Sequence, residues 1–392
     1  MLLNVAFVRL FIGRVFNLKL KIYCKRAVKI LSLIVAAAVF VGFTQNRFDN
    51  NKIRIDGFYL EDKNSLDVVL LGASEVYTAF SSAMAYDEYG FTSYPYAIES
   101  NPLELYKSQI KEIKNHQSPK LFVIEMNTAA SSGKGKDLTV ADDVNLRRYT
   151  DNMPFSKNKI DTVNEFSQSD DILSYYIPFI KYHGELGSFY RCFYETRMNF
   201  TGYSLLKGIS TKAEKSPGDK AYSLQGDTSS APLMEESEKK LRDFLDFCKE
   251  ENLDNVLFVR FPHRVTTDER YKRFQRGNRV GEIISEYGYD YLNFENSYQS
   301  FNLDFNNDFY NDDHMNIYGQ QKFTSYFGGI LQNNYGINPS EISDELKAKW
   351  DNSADYTKRL YKYVGNLTEN GDDRWIYETT YLLHSLDKVT PE

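Results

Sequence analysis

Ser74 sits in the block Gly72-Ala73-Ser74-Glu75, directly after the apolar run LDVVLL at 66–71. A serine on a turn at the carboxyl end of a buried strand can present its hydroxyl, and neighbouring backbone N–H groups can stabilise an oxyanion. The same Gly-x-Ser turn also serves simply to cap a following helix. Roughly 240 residues later, His314 stands in the polar cluster DFYNDDHMNIYG at 308–319. Histidine is the residue type that takes a proton from an attacking hydroxyl and returns it to a leaving group. The Asn316-x-x-Gly319 spacing suits a tight turn that aims the imidazole. Asn311, three residues before His314, can orient the ring by accepting from Nδ1–H, without the charge that a carboxylate would bring. Asp312, Asp313 and Asp308 are the charged alternatives for that place.

Other polar residues compete for attention. Arg260 and His263 lie in RFPHR at 260–264, after a predicted strand, and so on the same sheet edge as Ser74. Substrate binding is expected of them; the alternative is ion pairs that anchor a loop. His183 ends the aromatic stripe ILSYYIPFIKYH at 172–183, where a substrate contact and an interior position are equally served. Asp142, Asp143, Arg147, Arg148 and Asp151 read as a solvated ion-pair network. No Gly-rich phosphate loop, zinc spacing or calcium loop occurs, so no cofactor and no metal is expected.

The elements that must position these groups follow from hydrophobic patterning. The short runs at 66–71, 121–126, 256–261 and 289–294 read as strands. Helical spacing occupies 102–114, 235–250 and 278–287 between them. This alternation predicts an α/β fold, a parallel sheet covered by helices on both faces. The stretch 128–232 breaks the rhythm with the loop-like SSGKGK at 131–136 and KSPGDK at 215–220. It is expected as an aromatic-rich insertion that forms a lid on the sheet's carboxyl edge. From 336 to 392 the chain turns charged and helical, as an appended tail after a domain over 45–335.

With 392 residues and 42% hydrophobic content the chain can bury a large core. The net charge of −7 is uneven, because seven Lys/Arg (Arg9, Arg14, Lys19, Lys21, Lys25, Arg26, Lys29), with Arg47 an eighth after the apolar run, precede the first acid, Asp49. The remaining body is acidic, which excludes general nucleic-acid binding. Residues 27–44 are apolar apart from Lys29 and Ser32, enough for a single transmembrane anchor. Basic residues 1–26 then stay cytoplasmic and the body lies outside the cell membrane. A cleaved signal peptide, cut near Ala36-x-Ala38, is the competing reading and exports the same body. Residues 1–17 also suit a basic amphipathic helix on the cytoplasmic face. Cys192 and Cys248 either form one disulfide or stay as buried free thiols.

Taken jointly, VVLLGASE at 68–75 and the stretch around His314 resemble the SGNH/GDSL hydrolase superfamily, most nearly its membrane-anchored DltD-like members of cell-envelope loci. The resemblance covers about residues 53–332 and includes SYPYAIESNPLELY (93–106), KLFVIEMN (120–127), RRYTDNMPFSKNK (147–159) and FIKYH (179–183). It implies a three-layer, flavodoxin-like SGNH fold with Ser74 as nucleophile and His314 as base. The chain departs from the pattern at three places. Asn311 stands where the family has Asp, Pro95 where Asn is expected, and VIEMN replaces the Gly-x-Asn-Asp block. The resemblance implies serine-dependent acyl transfer or ester hydrolysis on an extracytoplasmic polysaccharide or teichoic-acid-like polymer. It further implies a membrane-bound O-acyltransferase as partner. Two other readings remain: a non-catalytic envelope binding or assembly protein, which Asn311 and Pro95 favour, and an independent secreted esterase.

Overall fold

The computed structural model describes residues 21–37, 50–131, 138–182, 202–218 and 221–390. Five strands, Val68–Gly72 (β1), Ser93–Ala97 (β2), Leu121–Glu125 (β3), Val256–Arg260 (β4) and Asp290–Asn293 (β5), form one parallel sheet in the order β2-β1-β3-β4-β5. This is a doubly wound order, in which ligands sit outside the carboxyl ends of the strands. The helices used below are Asn50–Tyr59 (α1), Ser74–Ala79 (α2), Ser82–Tyr89 (α3), Tyr106–His116 (α4), Glu235–Glu250 (α5), Asp268–Glu286 (α6), Ile317–Asn333 (α7) and Asp344–Glu369 (α8).

Alternate residues of the central strands feed two cores, as the two-residue period of a strand requires. Val69 and Leu71 of β1, Phe122 and Ile124 of β3 and Phe258 of β4 pack with Ile110 of α4 and Phe244 of α5 on one face. Val68, Leu70, Val123, Leu257 and Val259 face the other way, onto Phe323 and Phe327 of α7. Every residue of β1, β3 and β4 is buried, so these strands read as continuous apolar runs.

Strand β2 was not among the strands expected from patterning. Its sequence SYPYA carries Pro95, which has no N–H to give a sheet. The position is tolerated because β2 is an edge strand, bonded only to β1. Helix α6 starts ten residues before the expected 278, at Asp268, where the Thr267 side chain accepts from the Arg270 N–H and caps it.

The region expected as a separate insertion divides between two roles. Leu146, Tyr149 and Val163 are fully buried in the core on the α4 face. Thr211–Lys212 instead pairs antiparallel with Trp375–Ile376, so the insertion and the C-terminal tail are joined in one small ribbon. The tail is tied down further by buried Trp350 of α8, 5.2 Å from the Tyr86 ring of α3.

Residues 21–37 are helical, with Ile22, Leu31 and Leu33 exposed. Among the described residues no helix is long and apolar enough to cross a membrane. Residues 38–44 of the expected anchor and the amphipathic segment 1–17 lie outside the described residues. The disulfide question rests on Cys192, which also lies outside them; Cys248 is buried in the core, and burial pushes its thiol up to about 12.

Candidate active site

Ser74 is the first residue of α2, immediately after β1, with Ala73 extended at φ −99° and ψ −154°. The chain therefore leaves the sheet and turns into a helix at the serine itself. Backbone N–H groups in the first turn of a helix have no intrahelical acceptor, so they remain available to a ligand oxygen.

His314 reaches the same place from a hairpin. Phe309–Asn311 pairs antiparallel with His314–Met315, and Asn311 and His314 are register partners across the two-residue connection Asp312-Asp313. The next residues anchor this hairpin on α7. Asn316 accepts from the N–H groups of Tyr318 (3.0 Å) and Gly319 (3.3 Å), capping the helix. At Gly319 any Cβ would lie 2.3 Å from the Asp308 carbonyl oxygen, so only glycine fits the close approach.

The outcome is a hydrogen-bonded row of three side chains. Ser74 Oγ lies 2.8 Å from His314 Nε2, and His314 Nδ1 lies 3.0 Å from Asn311 Oδ1. The Asp313 backbone N–H also donates to Asn311 Oδ1, at 2.9 Å, which fixes the oxygen rather than the nitrogen of the carboxamide toward the imidazole. An acceptor at that position requires the proton on Nδ1, leaving the Nε2 lone pair for the serine hydroxyl. The Tyr310 ring stacks on the imidazole, 5.3 Å between centroids and 1° from parallel. Burial lowers the His314 pKa below its usual value, against an opposing pull from Glu75 and Asp313. The imidazole is therefore neutral at neutral pH, the state a general base needs.

Asp312 does not take the place beside His314. Its carboxylate is committed to Arg264 Nε (3.0 Å) and Arg270 Nε (3.2 Å), and it accepts from the Thr266 hydroxyl at 3.0 Å. Asp313 pairs with Arg270 and Arg273, and Asp308 accepts from Lys322 Nζ at 2.7 Å. The charged alternatives are thus each paired with a cation, and the neutral Asn311 accepts from Nδ1.

Arg260 and His263 take the ion-paired alternative rather than the substrate-facing one. Both are fully buried, and neither lines the cleft that holds Ser74 and His314. Arg260 Nε lies 2.7 Å from Glu295 Oε2, and His263 Nδ1 lies 2.9 Å from Glu295 Oε1. His263 Nε2 lies 3.5 Å from Glu75 Oε1 on the other side. The physical reason is a partner supplied by the neighbouring strand end: Glu295 follows β5 and compensates two cations that a bare sheet edge would have shown to substrate. Burial opposes the charged form of His263, but the bonds to Glu295 and Glu75 outweigh it and raise its pKa. Burial likewise opposes the ionised forms of Glu75 and Glu295, yet the cations beside them hold each at about 2. Glu125, deeper still, is pushed up to about 8 by burial and by the Glu75 charge. A charged layer therefore lies directly beneath the serine turn, with Glu75 Oε2 3.5 Å from Ser74 Oγ.

Ser74 and His314 open into a cleft of about 380 Å³. Its walls include Arg54 and Tyr77, Ser210 from the insertion, and Trp375 and Tyr377 from the C-terminal tail. Arg54 stacks over the Tyr77 ring at 3.3 Å and donates to Gly208 O, Ala97 O and Ser210 Oγ, so it braces the wall. The sequence reading missed Arg54, Trp375 and Tyr377; the tail's two aromatic residues carried the only signal, a polar helical region ending in an isolated WIY. Two carboxamides that follow β2 and β3, Asn101 and Asn127, are occupied: Asn101 Nδ2 donates to Gly72 O and Gln109 Oε1, and Asn127 Nδ2 donates to Glu75. His183 lies outside the described residues. Among the described residues no group of three or more His, Cys, Asp or Glu is arranged to hold a metal ion. Comparison of the chain with family models, curated proteins and solved structures gave no match.

Proposed function

We propose that this chain is a serine acyltransferase or esterase of SGNH type, acting outside the cytoplasm on a cell-envelope polymer from a membrane anchor at 27–44. The observation that carries the reading is the 2.8 Å contact between Ser74 Oγ and a neutral His314 whose other nitrogen is held by Asn311. The strand order, with Ser74 after β1 and His314 ahead of the last sheet-packing helix, supports the same family reading.

In the first step Ser74 Oγ attacks an acyl ester carbonyl while its proton passes to His314 Nε2. The carbonyl oxygen becomes an oxyanion beside the first-turn N–H groups of α2. Collapse breaks the bond to the leaving alkoxide, which takes the proton back from Nε2 and departs as an alcohol. In the second step a polymer hydroxyl, or water, gives its proton to Nε2 and attacks the acyl-serine; the acyl–Oγ bond breaks, Ser74 Oγ takes the proton back from Nε2, and the new ester or free acid departs. The donor is expected to arrive through a membrane-bound O-acyltransferase partner.

The test uses a fluorophosphonate, read by intact mass and peptide mapping on the full chain. Labelling at Ser74, lost in Ser74→Ala and strongly reduced in His314→Ala, supports the proposal. Absence of labelling under conditions that label a control SGNH enzyme overturns the reading of Ser74 as a self-sufficient nucleophile.

A further inference from the structure

A second cleft, larger than the one at Ser74, opens beyond the ends of β4 and β5, with a volume of about 500 Å³. Its interior wall is aromatic and aliphatic. Tyr298 and Phe305 meet edge to face at 4.8 Å, and Tyr222 is backed by Tyr271 at 5.1 Å in a stacked pair. Its rim is made of carboxamides. Gln225, Gln299 and Asn302 are all exposed, and none of the three side chains has a hydrogen-bond partner among the described residues. Among those residues no Lys, Arg, Asp or Glu lines the cleft.

This combination selects a ligand class. Rigid aromatic surfaces with an apolar face accept the C–H face of a pyranose ring. Each unpartnered carboxamide offers two donors and an acceptor, which match the paired donor and acceptor character of adjacent hydroxyls. The cations beside the wall, Lys322 on the Asn302 carbonyl and Arg264 on the Phe305 carbonyl, are paired with Asp308 and Asp312, so a phosphate- or carboxylate-bearing chain would lose hydration there without finding a free countercharge. We infer that this cleft is a binding subsite for a neutral oligosaccharide chain.

The subsite is tied to the hairpin that carries His314. The Tyr298 hydroxyl donates to the His263 carbonyl, and Arg264 Nη1 donates to the Phe305 carbonyl at 2.9 Å. The backbone N–H of Arg264 in turn donates at 2.8 Å to the carbonyl of Asp312, the residue after Asn311. Residues 263–264 at the sheet's carboxyl edge thus bond to a wall of each cleft. Binding here does not depend on Ser74 being reactive, so the inference stands apart from the proposed acyl chemistry.

The experiment measures binding of cellohexaose and chitohexaose to the full chain by calorimetry, with hexagalacturonate as the anionic comparison. At least one neutral oligomer is expected to bind, and hexagalacturonate to bind at least tenfold more weakly. The double variant Gln225→Ala/Gln299→Ala removes two exposed side chains and is expected to keep the fold; it is expected to weaken the neutral oligomer about tenfold, the sum of two modest hydrogen bonds. Tyr298→Ala should abolish binding, while Ser74→Ala should bind as the wild type does. No binding of either neutral oligomer at millimolar concentration, equal binding of the anionic one, or an unaffected double variant each overturns the inference.

Discussion

The Oδ1 atom of Asn311 holds the Nδ1 atom of His314 at 3.0 Å, across a hairpin whose register makes the two residues direct partners. A carboxamide there sets the tautomer without adding charge. Replacing it separates these two contributions. Asn311→Leu removes the acceptor, lets the ring choose the other tautomer and should lower kcat/KM roughly 10²–10³-fold. Asn311→Asp keeps the geometry and adds a negative charge, so the His314 pKa and the acid limb of the rate profile should rise by about 1–2 pH units. An acid limb unmoved by the aspartate would show that Asn311 does not act on the imidazole.

The stacked Tyr310 ring makes a second prediction about the same limb. Burial is the main reason the His314 pKa lies low, and protonated His314 cannot accept the serine proton. Activity should therefore rise with pH through a pKa below 6.5, the ordinary histidine value, and be flat at neutrality. Tyr310→Ser opens the ring face to water, relieves the desolvation and should move the limb up toward that value. The measurement is kcat/KM against pH for both proteins on an activated ester; a limb that moves down contradicts the burial argument.

Much of this was legible in the residues, and the parts that were not share a cause. The three strands at 66–71, 121–126 and 256–261 announce themselves because each buries an apolar run on both faces, while 289–294 shows as a short aromatic run although Asp290–Asn293 is a partly exposed edge strand. β2 hides behind Pro95, since only its edge position makes the missing N–H harmless, and edge position belongs to the topology. The pairing of Asn311 rather than Asp312 with His314 follows from hairpin register and from where Arg264 and Arg270 lie. Arg260 and His263 looked like substrate contacts because polar residues at a strand's carboxyl end often are. Their partner Glu295 comes from another strand, and Gly277 of α6 lets the arginine pass: a Cβ there would lie 2.8 Å from Arg260 Cδ. In every case the missing information is which distant residue arrives opposite.

The tail supplies a third prediction. Trp375 lines the serine cleft, stands 5.3 Å from the Tyr310 ring and is 47% exposed, so its removal costs the fold little and the cleft a wall. Trp375→Ala should raise KM roughly 5–20-fold with kcat within about twofold of wild type, the signature of binding lost equally from ground and transition states. A collapse of kcat at unchanged KM would instead assign Trp375 a part in aligning His314 through Tyr310.

Glu125 allows the charged layer beneath the serine to be tested through stability. Its Oε2 has no hydrogen-bond partner among the described residues, and burial together with the Glu75 charge lifts its pKa from 4.5 to about 8. A raised carboxyl pKa means that the folded chain keeps a proton which the unfolded chain releases. The associated stability is complete below pH 4.5 and is lost as pH rises toward 8. His263, whose pKa is also raised, loses its contribution with the same sign but only above its ordinary 6.5. Glu75 and Glu295 are held at about 2, and their contributions fall away only below 4.5. The interval from pH 4.5 to 6.5 thus isolates Glu125 within this layer. Glu125→Gln copies the shape of the protonated acid and cannot titrate, so its unfolding free energy should match wild type near pH 4.5 and exceed it at pH 8 by a few kcal/mol, on the order set by the shift. Urea midpoints across this range decide the matter: parallel curves for the two proteins would mean that Glu125 ionises as readily folded as unfolded, and that the layer beneath Ser74 is not the low-dielectric charge cluster described above.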